Sequence, residues 1–224
     1  FRKNGAEYPA YESIVGAGNN ATVLHYTENR DTIEDGDVVL IDAGAELEFY
    51  AGDITRSFPA NGEFTAAQRD VYQAVLDAEI AAIDDVEPGL PYNELQERTV
   101  RRLTESMIDL GLLDGSVDEL IDEEEYKKYY PHKIGHWLGI DVHDVGPYYD
   151  NDQQWRALEP GMVLTIEPGI YIPESDESAP EEMRGLGIRI EDDILVTADG
   201  CENLSKTCPK TIDEIEALVG SDVS

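Results

Sequence analysis

The sequence predicts an α+β fold built on one curved antiparallel sheet. Short β-branched runs come early, two long helical stretches lie in the middle, and further apolar strands return late. Val38-Val39-Leu40-Ile41 is a β-branched run ending at Asp42, and Gly52 to Phe58 reads as the returning strand, with the turn inside 43–51. Thr65-Ala66-Ala67-Gln68 has a capping-box pattern, in which the Thr hydroxyl and the Gln side chain serve each other's backbone N–H. Val71, Val75, Ala78 and Ala82 then recur at helical spacing, and the helix should stop before Pro88-Gly89. A second helix is expected after Pro91, with Leu95, Leu103, Met107 and Leu110 facing inward and Gly111 as its stop. Asp118 to Tyr126 is an acidic connector, helical in part. The pattern turns extended from Pro131 and continues as strands at Met162 to Ile166 and Ile188 to Val196. Between those strands, Pro173 to Arg184 reads as an exposed loop, and Thr211 to Glu214 is a capping box opening a final helix.

The chain has 224 residues, enough for one large domain or two small ones, and an ordinary apolar share of 41%. It contains 16 basic and 49 acidic residues, for a net charge of −33. Such a surface repels polyanions, so neither nucleic acid nor an anionic membrane is an expected partner. With only six lysines, the balance fits a protein kept soluble in high salt. No apolar run reaches a membrane span, and the N-terminus, which lacks Met, has no signal-peptide pattern. The chain therefore reads as the later part of a longer protein. Cys201 and Cys208 have no nearby His to make a zinc site, and a cytoplasmic location is expected.

Four carboxylates stand where an apolar strand should exclude them: Asp42 after Leu40-Ile41, Asp53 before Ile54, Glu167 after Thr165-Ile166 and Glu191 after Arg189-Ile190. Burying an unpaired charge costs several kcal/mol, so something must compensate them. Asp42 and Asp53 are equidistant from a turn centred between Leu47 and Glu48, and Glu167 and Glu191 from Ala179. Two hairpins would each present a facing pair, which a dinuclear cation site would neutralise. Taken singly, an Asp at a strand end is more often a turn former, and Glu167 before Pro168-Gly169 would be read that way. The four together with a histidine favour the metal.

Of four histidines, His132, His136 and His143 fall within twelve residues, and His25 stands apart. His132 and His136 are spaced i, i+4, but Lys133 occupies the position of the catalytic Glu in HExxH, and the surrounding glycines oppose a helix.

These residues sit in longer stretches with a family pattern: Ile41-Asp42-Ala43-Gly44, Tyr50 to Arg56, Gly135 to Gly146, Glu159 to Gly169 and Gly187 to Asp193. Through them the chain resembles the catalytic domain of the aminopeptidase P family, the Xaa-Pro aminopeptidases. It resembles prolidase or methionine aminopeptidase less. The resemblance implies the pita-bread (creatinase/aminopeptidase) fold, a curved antiparallel sheet flanked by helices. It implies a single metallopeptidase catalytic domain over 1–224, without the family's N-terminal domain and first catalytic-domain helices. That missing part helps build the substrate pocket and the oligomer, so a homo-oligomer is compatible with the reading. By the same resemblance Asp42 holds one divalent ion, Asp53 and Glu191 bridge two, and His136 and Glu167 complete the ligand set of the second ion. Manganese is implied first, with zinc or cobalt as alternatives. A metal-bridging hydroxide would attack the scissile carbonyl, Glu167 would shuttle the proton and His25 would assist. His143 and His132 would bind the substrate carbonyl and the proline side. Arg189 would orient ligand carboxylates, as would Tyr171, for which a packed core role is an equal alternative. The expected partner is a peptide with N-terminal Xaa-Pro. The alternatives are a prolidase acting on Xaa-Pro dipeptides, a metal-free peptide-binding relative, and metal-assisted hydrolysis of other esters or amides, including phosphoesters. Where the family carries small residues, Lys133 beside His132 is expected to alter substrate approach.

Overall fold

The computed structural model describes residues 1–219. The N-terminal third is β-rich: β1 (Tyr8–Pro9), β2 (Ile14–Ala17), β3 (Val38–Asp42), β4 (Ala45–Leu47), β5 (Tyr50–Ala51) and β6 (Thr55–Pro59). Glu48 and Phe49 form the tip of the hairpin, both left-handed at φ 51° and 69°. A two-residue turn of this hand matches the natural twist of paired strands. Its centre between Glu48 and Phe49 corrects the expected pairing. Asp42 lies opposite Thr55, not Asp53, and Leu47 opposite Tyr50. The shift is two residues, the period of side-chain alternation, so Asp42 and Asp53 become diagonal neighbours on the same face.

Three helices follow: α1 (Ala66–Asp84), α2 (Tyr92–Asp109) and the short α3 (Val117–Asp122). Thr65 and Gln68 make the reciprocal cap at the start of α1. Gly111, at φ 70°, takes the left-handed position that lets the chain turn away after α2. After an irregular stretch come β7 (Val163–Ile166), β8 (Gly169–Ile172), β9 (Leu186–Arg189), β10 (Asp192–Val196), β11 (Cys201–Asn203) and α4 (Ile212–Val219). Val71, Tyr72, Val75, Leu103 and Met107 of the helices bury against Ile170, Ile172 and Ile188 in one core cluster. Ala82, Tyr92 and Leu95 bury with Ile134, Leu164, Ile166 and Ile194 in a second. Alternation along β7 therefore turns Thr165 and Glu167 away from the helices. The 173–184 segment is less exposed than its composition implies, because Ala179 and Met183 are buried in the first core cluster.

The antiparallel surface is divided into four ladders instead of one continuous sheet: β1-β4-β5, β2-β3-β6, β7-β10-β11 and β8-β9. The β7–β10 and β8–β9 ladders share one register centred on Ala179, which places Glu167 opposite Glu191 at the break between them. The break has a backbone cause. The N–H of Glu167 donates to Ile134 O at 2.7 Å and that of Glu191 to Thr55 O at 3.1 Å. Pro168 has no N–H to give. Diverting those donors draws β6 and the His136 segment onto the same spot. The N–H of Leu138 donates to Val163 O, and that of Thr165 to His136 O, continuing the docking.

Candidate metal centre

Asp42 ends β3, Asp53 precedes β6, Glu167 follows β7 and Glu191 precedes β10, so each carboxylate sits where a ladder opens. His136 enters from the docked 134–138 segment. Together with His25, His132, Lys133, His143 and Arg189 they line one cavity of about 230 Å³. One ligand atom from each of Asp53, His136 and Glu191 lies within 4.8 Å of the others. Nδ1 of His136 is 3.0 Å from Trp137 O and can only donate there, which leaves Nε2 with its lone pair 3.4 Å from Asp53 Oδ2 and 3.7 Å from Glu167 Oε1.

Around this floor, Arg189 is the one guanidinium lining the cavity. It donates to Asp42 Oδ2 at 2.7 Å, to Thr55 Oγ1 at 3.1 Å and to the Tyr171 hydroxyl at 3.0 Å. Thr55 in turn donates to Glu191 Oε2 at 2.6 Å. Tyr171 is outside the cavity lining and acts from behind it, with its hydroxyl 2.8 Å from His132 Nε2. Because His132 Nδ1 faces Lys133 O at 2.8 Å, Nδ1 carries the proton and Tyr171 donates to Nε2. Both His132 nitrogens are thereby engaged, so the ring offers its face to the cavity. Burial, followed by Arg189, holds this imidazole down at about 4, which keeps it neutral.

The electrostatics are unbalanced. Four carboxylates face one guanidinium. Burial pushes Glu167 up to about 7 and Glu191 well above the carboxylate range, and the surrounding carboxylates add to the shift. Burial also raises Asp42, against the pull of Arg189. Burial acts to lower His136, but its contact with Asp53, followed by Glu167, holds it above its usual value. A donor set rich in carboxylate oxygen, with one imidazole and a deficit of positive charge, fits hard divalent cations. His143 is exposed, its ring 4.1 Å from that of His136, and burial and His136 lower its pKa. His25 is exposed at the cavity wall.

Three participants were not singled out as site residues by the sequence pattern. The Tyr11 hydroxyl donates to Asp42 Oδ1 and lies 2.5 Å from Asp53 Oδ1, clamping the two carboxylates. Its phenol is driven far above the usual range by burial and then by Asp42. Thr55 connects Arg189 to Glu191. Asp193 accepts the Asp53 N–H at 3.1 Å through Oδ2, and its buried Oδ1 has no protein partner.

Residues 1–198 match the model of metallopeptidase family M24, and the chain belongs to that family. The Xaa-Pro aminopeptidase of Haemophilus influenzae is 49% identical over 219 residues, covering 98% of this chain and 50% of the relative. Among solved structures, Pseudomonas aeruginosa aminopeptidase PepP superposes with a TM-score of 0.95 at 56% identity, over 97% of this chain and 49% of that one. Zn-substituted Escherichia coli aminopeptidase P in complex with product superposes at 0.93 and 50% identity, over 98% and 49%. The fold is the α+β pita-bread fold of these structures. The chain spans about half the length of the curated relatives it matches.

Proposed function

We propose that this chain is the catalytic part of a dinuclear metalloaminopeptidase that releases the N-terminal residue from peptides with proline in second position. The observation that carries the reading is the convergence of Asp42, Asp53, Glu167, Glu191 and the His136 Nε2 lone pair on one cavity with a single guanidinium. In this reading Asp42 would hold one ion, His136 and Glu167 the other, and Asp53 and Glu191 would serve both. Oxygen-rich donors favour manganese, and the E. coli relative has been solved in a Zn-substituted form. When bound, the ions supply Lewis-acid polarisation of the scissile carbonyl and acidify a water molecule.

The chain's own groups do the remaining work. Glu167, which lines the cavity beside His136, is placed to hold and move a proton at its carboxylate oxygen. His143 reaches the substrate from the exposed side of His136, and His25 stands near for proton transfer. His132 presents its ring face as a wall for the proline side, while Arg189 and Tyr11 fix the carboxylates. The substrate's amino end belongs at the acidic floor. Both thiols are free, in keeping with a reducing cytoplasm. The test is a panel of Xaa-Pro-Yaa peptides, Xaa-Pro dipeptides and Xaa-Ala-Yaa controls with manganese. Release of the first residue from Xaa-Pro-Yaa supports the reading, whereas cleavage of dipeptides alone would assign the chain as a prolidase.

A further inference from the structure

Most cations of this acidic chain already hold a carboxylate. Lys127 pairs with Glu124, Lys128 with Asp176, and Lys210 with Glu79 and Asp192. Lys133 pairs with none among the described residues. It is exposed, lines the mouth of the candidate metal cavity, and carries its ammonium 5.6 Å from the centroid of the Tyr148 ring. Its carbonyl is the group that fixes the His132 tautomer, so its backbone is anchored at the cavity wall. An unpaired ammonium surrounded by a net charge of −33 is a local reversal of sign at the entrance.

An aminopeptidase takes the substrate's amino end to the acidic floor, so the part beyond the scissile bond leaves through the mouth. We propose that Lys133 is a specificity-determining residue that selects peptides carrying a carboxylate on that outgoing side. The carboxylate is either the C-terminus of a short peptide or an acidic side chain at the third position. Elsewhere the acidic surface repels such substrates, and Lys133 offsets that repulsion where it matters. The ammonium sits at an aqueous rim, so the effect is modest and salt-sensitive. This inference rests on the aminopeptidase reading.

The test compares kcat/KM of the manganese-loaded chain on Xaa-Pro-Leu acid against its C-terminal amide, and on longer amidated peptides with Glu against Gln in third position. One of these ratios should be about fivefold at low salt, the size of a partly exposed charge pair. It should fall towards one in Lys133→Met, persist in Lys133→Arg, and shrink in molar salt. The first pair of peptides reports a terminal carboxylate and the second a side chain. Ratios near one for both pairs in the unmodified chain, or ratios unchanged in Lys133→Met, overturn the proposal. If no peptide is turned over, the aminopeptidase reading fails separately. Selection is then read by calorimetry from Kd of Pro-Leu acid against Pro-Leu amide, where equal affinities overturn it.

Discussion

Glu191 and Asp192 are adjacent, yet they enter two buried acidic clusters that are neutralised in opposite ways. Asp192 Oδ1 accepts from Arg56 at 2.7 Å and from Ser205 at 2.7 Å, and its Oδ2 from Lys210 at 2.6 Å and Asn203 at 2.7 Å. Lys210 also holds both oxygens of Glu79. Two carboxylates meet two cations, and every oxygen of Asp192 is satisfied. On the other side, Glu191 joins Asp42, Asp53 and Glu167 around Arg189 alone. The first cluster is closed with the protein's own charges, while the second is left open to cations from solvent. The contrast separates a structural ion network from a candidate metal site more clearly than burial does, since both clusters are buried.

The bond network also joins the two. Arg56 donates to Glu191 O at 2.6 Å and to the carbonyls of Cys208 and Pro209, so the closed cluster braces the backbone at Glu191.

The comparison breaks most sharply at the open site. Asp53→Asn should lower kcat/KM by at least about 10³-fold in peptide assays with manganese, beyond the 10–100-fold expected for residues that only orient ligands. Its melting temperature without metal should not fall, because one repelling charge has gone. In the closed cluster, Lys210→Met leaves Glu79 and Asp192 short of a cation and should cost about 3 kcal/mol. Chemical denaturation should show that loss while metal stoichiometry stays unchanged. Tyr11→Phe should weaken manganese binding about tenfold in a calorimetric titration, since it removes only the clamp on Asp42 and Asp53.

The smallest effect is on pH. A carboxyl whose folded pKa is raised, as Glu167 is to about 7, favours the metal-free fold at low pH. That contribution is complete below the unfolded value of 4.5 and disappears as pH rises through 7. Protons and metal compete for the same oxygens. The rise in melting temperature on adding manganese should therefore be larger at pH 8 than at pH 5. An equal rise at both would mean that the cation binds elsewhere.

Much of this was legible because strand periodicity is strict. The Ala179 centre relating Glu167 to Glu191 is the register found across both late ladders. The Asp42–Asp53 pairing was misplaced by two residues because Glu48 and Phe49, neither of them glycine, adopt the left-handed turn. The face survived because two is the side-chain period. Tyr11 had no local signal: it reaches Asp42 and Asp53 from far along the chain, and a lone tyrosine has no pattern to mark it. The Asp192 network was hidden for the same reason, since Arg56, Glu79 and Lys210 come from three distant parts of the chain. The segmentation of the sheet follows from N–H groups diverted to other strands, which side-chain alternation does not encode.

Metal content tests the central claim most directly. The purified chain, stripped with chelator and returned to manganese, should bind two ions per chain by elemental analysis, and Asp53→Asn should bind fewer. Less than one ion in the unmodified chain, or the same stoichiometry in Asp53→Asn, would contradict a cation site built by these carboxylates.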